Sequence, residues 1–272
     1  MTADDVAFLA RAPNRAAVLQ ALAAEPLTRG DLRDRVGASR VTVGRITADL
    51  ESRGWIERSE SGYRATTAGR EISQAYKRFV DTLETTRHLD PLLESLPTEA
   101  FDFELSALAD AEVVVPTATA PDKHLDRLAR LFGQSREVRL IAHAMAPRVT
   151  AANAEAAARI GQVVRGVVTP AVIESIRANP SVRERVRKTV DCGGIVLSRR
   201  PTVPFQFGVF DDVTIVSADD DVGVPRGIVV TEAPTVRQWA LETFERLQAE
   251  ATELGREAFA AEAAEPGTED DS

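Results

Sequence analysis

TRGDLRDRVGASRVTVGRITADLESRGWIERSESGYRA, residues 28 to 65, carries the punctuation of two short helices followed by a hairpin. Thr28 opens the first helix, whose apolar residues Leu32 and Val36 sit four apart on one face. Gly37 closes it where a left-handed residue is needed. Ser39 opens the second helix, and Val43, Ile46 and Leu50 recur there at helical spacing to form an inward stripe. The opposite face presents Ser39, Arg40, Thr42 and Arg45 near its N-terminus. Gly54 stops this helix. Trp55 to Arg58 and Tyr63 to Thr66 then read as two strands around Ser59-Glu60-Ser61-Gly62. Upstream, Asn14 to Ala23 supplies a supporting helix with Ala17, Val18, Ala21 and Leu22 inward.

Supporting helix, first helix, Ser-capped second helix and hairpin follow in the order of a winged helix-turn-helix, in which the second helix enters the major groove of DNA. The stretch closely resembles the winged-helix domain of ArsR and MarR type found in archaeal regulators. Ser39-Arg40-Val41-Thr42-Val43-Gly44-Arg45, Leu50-Glu51-Ser52-Arg53-Gly54-Trp55-Ile56 and Thr66-Thr67-Ala68-Gly69-Arg70 carry the resemblance. It implies that Arg40, Thr42 and Arg45 touch DNA in the groove, while Arg58 and Arg64 lie along the backbone beside the wing. Asp49 and Glu60 depart from a phosphate-binding surface. The alternative is an interaction module that recruits transcription proteins without reading DNA.

The chain has 272 residues, 44% hydrophobic and 28% charged, the composition of a globular protein with room for two domains. No apolar run approaches the roughly 20 residues of a membrane span, and residues 1 to 20 lack a signal peptide, so a cytoplasmic location and no membrane partner are expected. The net charge of −9 is unevenly placed: residues 1 to 70 hold 11 Arg against 9 acidic residues, whereas residues 71 to 272 hold 22 basic and 33 acidic residues. Only Lys77, Lys123 and Lys188 are lysines, a bias seen in salt-loving archaea and also produced by a GC-rich genome. High internal salt weakens the counterion-release part of DNA affinity and leaves more of it to contacts in the groove. One cysteine, Cys192, excludes an internal disulfide, and three histidines give no zinc-type cluster. Asp191-Cys192-Gly193-Gly194 reads as a turn before a strand, with a partly buried thiol or, alternatively, a redox sensor.

Arg70 to Leu96 reads as a linking helix in which Ile72, Tyr76, Phe79 and Leu83 form an apolar stripe. The stripe could pack on the chain's own second domain or on the same helix of a partner; two-fold symmetry suits a palindromic operator, so a homodimer seam, helped by Trp239, is the expected use. From about Ala100 short apolar runs alternate with helices, as in an α/β unit. The expected strands are Glu112 to Val115, Val138 to Ala142, Val163 to Val168, Ile195 to Ser198, Phe205 to Phe210, Val213 to Val216 and Ile228 to Val230. Helices are expected at Lys123 to Phe132, Val149 to Ile160, Pro170 to Arg177, Val182 to Val190 and Thr235 to Phe259. Glu262 to Ser272 reads as an acidic disordered tail. The expected fold class is an α+β winged helix over 1 to 69, a linking helix over 70 to 99, an α/β domain over 100 to 259, and a tail over 260 to 272.

The second domain resembles the sensor domain of archaeal regulators of the methanogenesis and filament-regulator type, which looks like a degenerate phospholipase D half. Gly161 to Pro170 and Pro204 to Asp212 are its most suggestive residues. A working phospholipase D or nuclease needs H-x-K-x-x-x-x-D, yet the residues two places before the three lysines are Ala75, Pro121 and Val186. Phosphate-loop, dinucleotide and nucleophile-elbow motifs are missing as well, so no catalytic residue, cofactor or metal is expected. A phosphodiesterase-like enzyme is the weaker alternative. His143, just past a strand end, with Arg148, Arg165, Arg199, Arg200 and Gln206, forms the expected site for a small anionic metabolite, since guanidinium forks match carboxylates and phosphates. The competing reading for each is an ordinary surface side chain.

Overall fold

The computed structural model describes residues 3–146, 149, 155–156, 159–191, 193–221 and 223–259. Arg148, Cys192, the acidic tail and most of the helix expected over Val149 to Ile160 lie outside the described residues. The chain divides into two compact units, Met1–Glu84 and Thr85–Ser272.

The first unit runs α1 (Ala3–Ala10), α2 (Pro13–Ala24), α3 (Arg29–Val36), α4 (Arg40–Ser52), β1 (Ile56–Ser59), β2 (Gly62–Ala65) and the start of α5 (Thr67–Leu89). Thr28 and Asp31 form a reciprocal capping box at α3: the Thr28 hydroxyl accepts from the Asp31 amide at 3.2 Å, and the Asp31 carboxylate accepts from the Thr28 amide at 3.0 Å. The Thr28 hydroxyl and amide hold the Asp31 carboxyl below the usual aspartate range. Gly37 ends the helix at φ 63°, the left-handed conformation expected of it. Ser39 caps α4 by accepting from the Thr42 amide at 3.1 Å. Leu32, Val43, Ile46 and Leu50 are buried with Val18, Leu22, Trp55 and Ile56 in one core.

The hairpin gains a third partner, since Leu27 and Tyr63 exchange two backbone hydrogen bonds of 2.9 Å and so tie the wing to the entrance of α3. Gly62 makes this approach possible: at φ 128° it lies so close to the Leu27 carbonyl that a Cβ would collide. On α2, Ala16 and Leu19 are buried while Ala17 is only half-buried, a small rotation from the expected inward face. Helix α1 was not expected from the sequence. It buries Phe8 and Leu9, with the Phe8 ring edge-on to Trp55 at 6.0 Å.

Along α5, Ile72 and Tyr76 pack against the first unit's core, so half of the expected dimer stripe is used within the chain. Phe79 and Leu83 remain 52% and 41% exposed. The helix ends at Leu89 rather than Leu96, and short 3-10 turns follow at Leu93–Ser95 and Thr98–Ala100.

The second unit is built on an eight-stranded sheet: β3 (Glu112–Val114), β4 (Glu137–Ala142), β5 (Val163–Val168), β6 (Ile195–Arg199), β7 (Phe207–Phe210), β8 (Val213–Asp219), β9 (Pro225–Thr231) and β10 (Thr252–Glu253). Their order is β10-β6-β5-β4-β7-β8-β9-β3. Only β4–β5 and β5–β6 are parallel, the α/β portion of a sheet whose other pairs are antiparallel. Asp211, at φ 52°, turns β7 into β8. The alternate residues of each strand build two cores. One holds Leu140, Val164, Val168, Leu197 and Phe210 with α6 (Lys123–Gln134), α7 (Pro170–Ala178) and α8 (Pro180–Asp191); the other holds Ile141, Val167, Val209 and Val216 with α9 (Pro234–Ala249).

Trp239 belongs to the second core. It is 3% exposed, stacks on Phe205, meets Phe101 and Phe103 edge-on, and donates Nε1–H to the Ala100 carbonyl at 2.9 Å. Its own chain covers it, which removes it from the expected dimer seam. The terminal helix also stops at Ala249 rather than Phe259. The next residues return as β10 beside β6, and a 3-10 turn, Arg256–Phe259, drops Phe259 fully into the first core. Among the described residues no helix is long and apolar enough to cross a membrane.

Candidate nucleic-acid interface and ligand cavity

Helix α4 buries Val43, Ile46, Thr47 and Leu50 and turns Arg40, Val41, Arg45 and Ala48 outward. Arg40 and Arg45 have neither ion pair nor hydrogen bond among the described residues, so both guanidiniums are available. Between them Val41 is 83% exposed, and a Cβ added at Gly44 would meet open space. A glycine there costs helix stability of roughly 0.5–1 kcal/mol relative to alanine without a packing reason inside the chain. Ser39 and Thr42 are spent partly on the cap, their hydroxyls 2.9 Å apart.

The wing arginines lie on the hairpin strands, each beside a glutamate. Arg58 Nε lies 3.3 Å from Glu51, and Arg64 pairs with Glu57, its cross-strand partner, at 2.8 Å. Each guanidinium is shared with a glutamate, whose charge offsets part of its attraction for a phosphate. Val41 went unnoticed in the sequence; its offset from the Val43-Ile46-Leu50 stripe was the available signal.

In the second unit a cavity of about 580 Å³ opens between α6 and the sheet. Leu125, Leu128 and Phe132 of α6, Leu140 of β4, and Phe210, Ile215 and Ile228 of the antiparallel half form its walls. Gln206 forms its polar corner: Oε1 accepts from the His143 and Ala144 amides at 3.2 and 3.0 Å, and Nε2 donates to Asp219 at 3.3 Å. His143 Nε2 lies 3.1 Å from the Gly223 carbonyl and 3.7 Å from Asp219 Oδ2. Ser217 donates to the other Asp219 oxygen at 2.5 Å.

The structure therefore unites His143 and Gln206 but not the arginines. Arg165 is exposed on the sheet face that carries Ile141 and Val167. Arg199 is exposed at the end of β6, and Arg200 is held by Glu250 at 2.5 Å. None of these three lines the cavity, so the convergent guanidinium site expected for an anion is not formed by them. Asp219 and Ser217 escaped the sequence reading, although the Asp219-Asp220-Asp221 run marked a turn. Among the described residues no group of three or more His, Cys, Asp or Glu could hold a metal ion.

Fold and sites together define a two-domain protein, a winged helix joined to a mixed-sheet domain that encloses a cavity. Residues 3–88 match the HVO_A0261 N-terminal domain, and residues 121–250 match the middle domain of the methanogenesis regulatory protein FilR1. The first part of the chain is thus similar to the HVO_A0261 N-terminal domain and the later part to the FilR1 middle domain. No curated protein matches the sequence. Among solved structures, TrmBL2, described as an archaeal chromatin protein, is 15% identical over 90% of this chain and 97% of its own, with a TM-score of 0.43. The phospholipase D family member Nuc from Salmonella typhimurium is 13% identical over 53% of this chain and 99% of its own, at 0.41.

Proposed function

We propose that this protein is a homodimeric, sequence-specific transcriptional regulator whose DNA affinity is modulated by a small ligand in its second domain. The observation that carries the reading is the pair of unengaged guanidiniums, Arg40 and Arg45, on the outward face of a Ser-capped helix beside a hairpin wing. Arg offers two parallel donors to guanine in the major groove, and exposed Val41 offers methyl contact to thymine. The exposed Phe79 and Leu83 supply the seam between two copies, which sets two recognition helices on one duplex. A ligand shifts DNA affinity only by its differential affinity for the two states, typically about 1–3 kcal/mol. The missing H-x-K pairing favours a binding role over phosphodiester cleavage.

Selection of bound fragments from sheared genomic DNA, followed by fluorescence anisotropy on the enriched sequence, tests the reading. The Arg40→Ala, Arg45→Ala double variant should lose about 1–3 kcal/mol per bidentate contact and relax base preference. Unchanged affinity in a folded double variant refutes this face. The same platform without DNA reading, an interaction module, is the outcome if no fragment is enriched.

A further inference from the structure

We infer that the cavity of the second domain takes an uncharged, largely apolar small molecule with a hydrogen-bond-donating end, such as a long-chain alcohol. This deepens the ligand-responsive reading above and rests on it for its regulatory meaning, though not for binding.

Among the described residues that line the cavity none is Asp, Glu, Lys or Arg. Its walls are mainly leucine, isoleucine, phenylalanine, alanine and proline side chains, interrupted by the polar side chains of His124, Gln206 and Ser217, and a permanent ion moved into such surroundings loses hydration without meeting a carboxylate, ammonium or guanidinium among the described lining residues. The volume, about 580 Å³, is that of a ligand pocket rather than of the water-sized voids left in a packed core. Its rim is apolar too: Pro116, Pro121 and Pro225 border it, and Val224 stands 54% exposed beside them, one of the few large apolar side chains left in water among the described residues.

The polar corner selects the end of the ligand. Gln206 Oε1 is occupied by two backbone amides, so it stiffens the wall. Ser217 already donates its proton to Asp219 Oδ1, which leaves its oxygen with acceptor lone pairs alone. A ligand group that meets Ser217 must therefore donate. A carboxylate cannot donate, and it would also approach the Asp219 carboxylate behind Ser217. A hydroxyl satisfies the serine oxygen and leaves its alkyl chain along Leu125 and Leu128 of α6.

Displacement of the neutral dye Nile red from the full chain tests this, with 1-decanol, decanoate and decylamine as competitors. Decanol should displace the dye at roughly tenfold lower concentration than either charged analogue, one tenfold step being about 1.4 kcal/mol. Leu128→Trp and Ala144→Trp, on different walls, should each abolish uptake while keeping the wild-type melting temperature, and Ser217→Ala should weaken decanol but not the dye. Decanoate or decylamine displacing as well as decanol overturns the inference on the wild-type protein alone. Dye uptake that persists in both folded tryptophan variants overturns it too. Decanol uptake with unchanged DNA affinity defeats the effector role proposed above and leaves this inference standing.

Discussion

Replacing Glu51 and Glu57 together by glutamine is the most revealing perturbation of the winged helix, because it touches DNA binding without touching any DNA-facing cation. The two glutamates hold Arg58 and Arg64 at 3.3 and 2.8 Å, and all four side chains are substantially solvated, from 37% to 71% exposed. Exposed pairs of this kind contribute about 0–1 kcal/mol each, so the double variant should melt within several degrees of the wild type. The electrostatic consequence is larger. Residues 1 to 70 hold 9 acidic side chains, and two of them disappear beside the expected DNA surface. Each guanidinium that reaches a phosphate makes the slope of log K against log salt more negative by about 0.9, so two should add roughly 1.8. Fluorescence anisotropy with a labelled duplex of arbitrary sequence at several KCl concentrations measures that slope, and no operator need be known. A folded double variant with the wild-type slope would refute the idea that glutamates restrain wing arginines from phosphate contact.

Three further outcomes follow from the structure. Phe79→Asp should shift a wild-type dimer to monomer in light scattering, because Phe79 and Leu83 are the part of the α5 stripe left unburied; a wild-type monomer at micromolar concentration defeats the proposed seam. Gln206→Ala strands the His143 and Ala144 amides and should cost about 1–3 kcal/mol, seen as a fall of a few degrees in the second unit's melting transition. The depressed carboxyl of Asp31 contributes stability that is complete above the usual value of 3.8 and is lost as pH falls through its lower folded value. Asp31→Asn should accordingly flatten the acid limb of melting temperature against pH; an unchanged limb would show that the cap plays no part in acid unfolding.

The helix-turn-helix was legible because its signals are local. Thr28, Gly37, Ser39 and Gly54 act within a few residues of themselves, and all four sit at helix boundaries in the structure. Strands β5 and β8 were legible in the same way, from β-branched runs bounded by turns. The arginine cluster failed for a geometric reason. Arg165 and Arg199 each lie on a strand, but period-2 alternation places Arg165 with Ile141 and Val167 on the sheet face opposite the cavity. The site that does form depends on Gln206 meeting residues 62 and 63 positions earlier, where β7 runs antiparallel to β4, and such pairing leaves no local trace. The overlong terminal helix has a similar origin. Ala251 to Phe259 is rich in helix formers, yet pairing with β6 and burial of Phe259 outweigh that preference.

The return of the chain at β10 bears on how the second unit can be cut out for study. The FilR1 match runs from residue 121 to residue 250, whereas the sheet's two outermost strands, Glu112–Val114 and Thr252–Glu253, lie just beyond it on either side. A fragment trimmed to the match would bare the edges of β6 and β9, whose interior residues are largely buried, and would empty the socket of Phe259. Two naked edges on an apolar sheet are templates for intermolecular pairing. Such a fragment should precipitate even if the intact chain is well behaved, and a soluble excision product has to run from Thr85, which keeps Leu89, Leu92, Leu96 and Leu108 in their core, to Phe259.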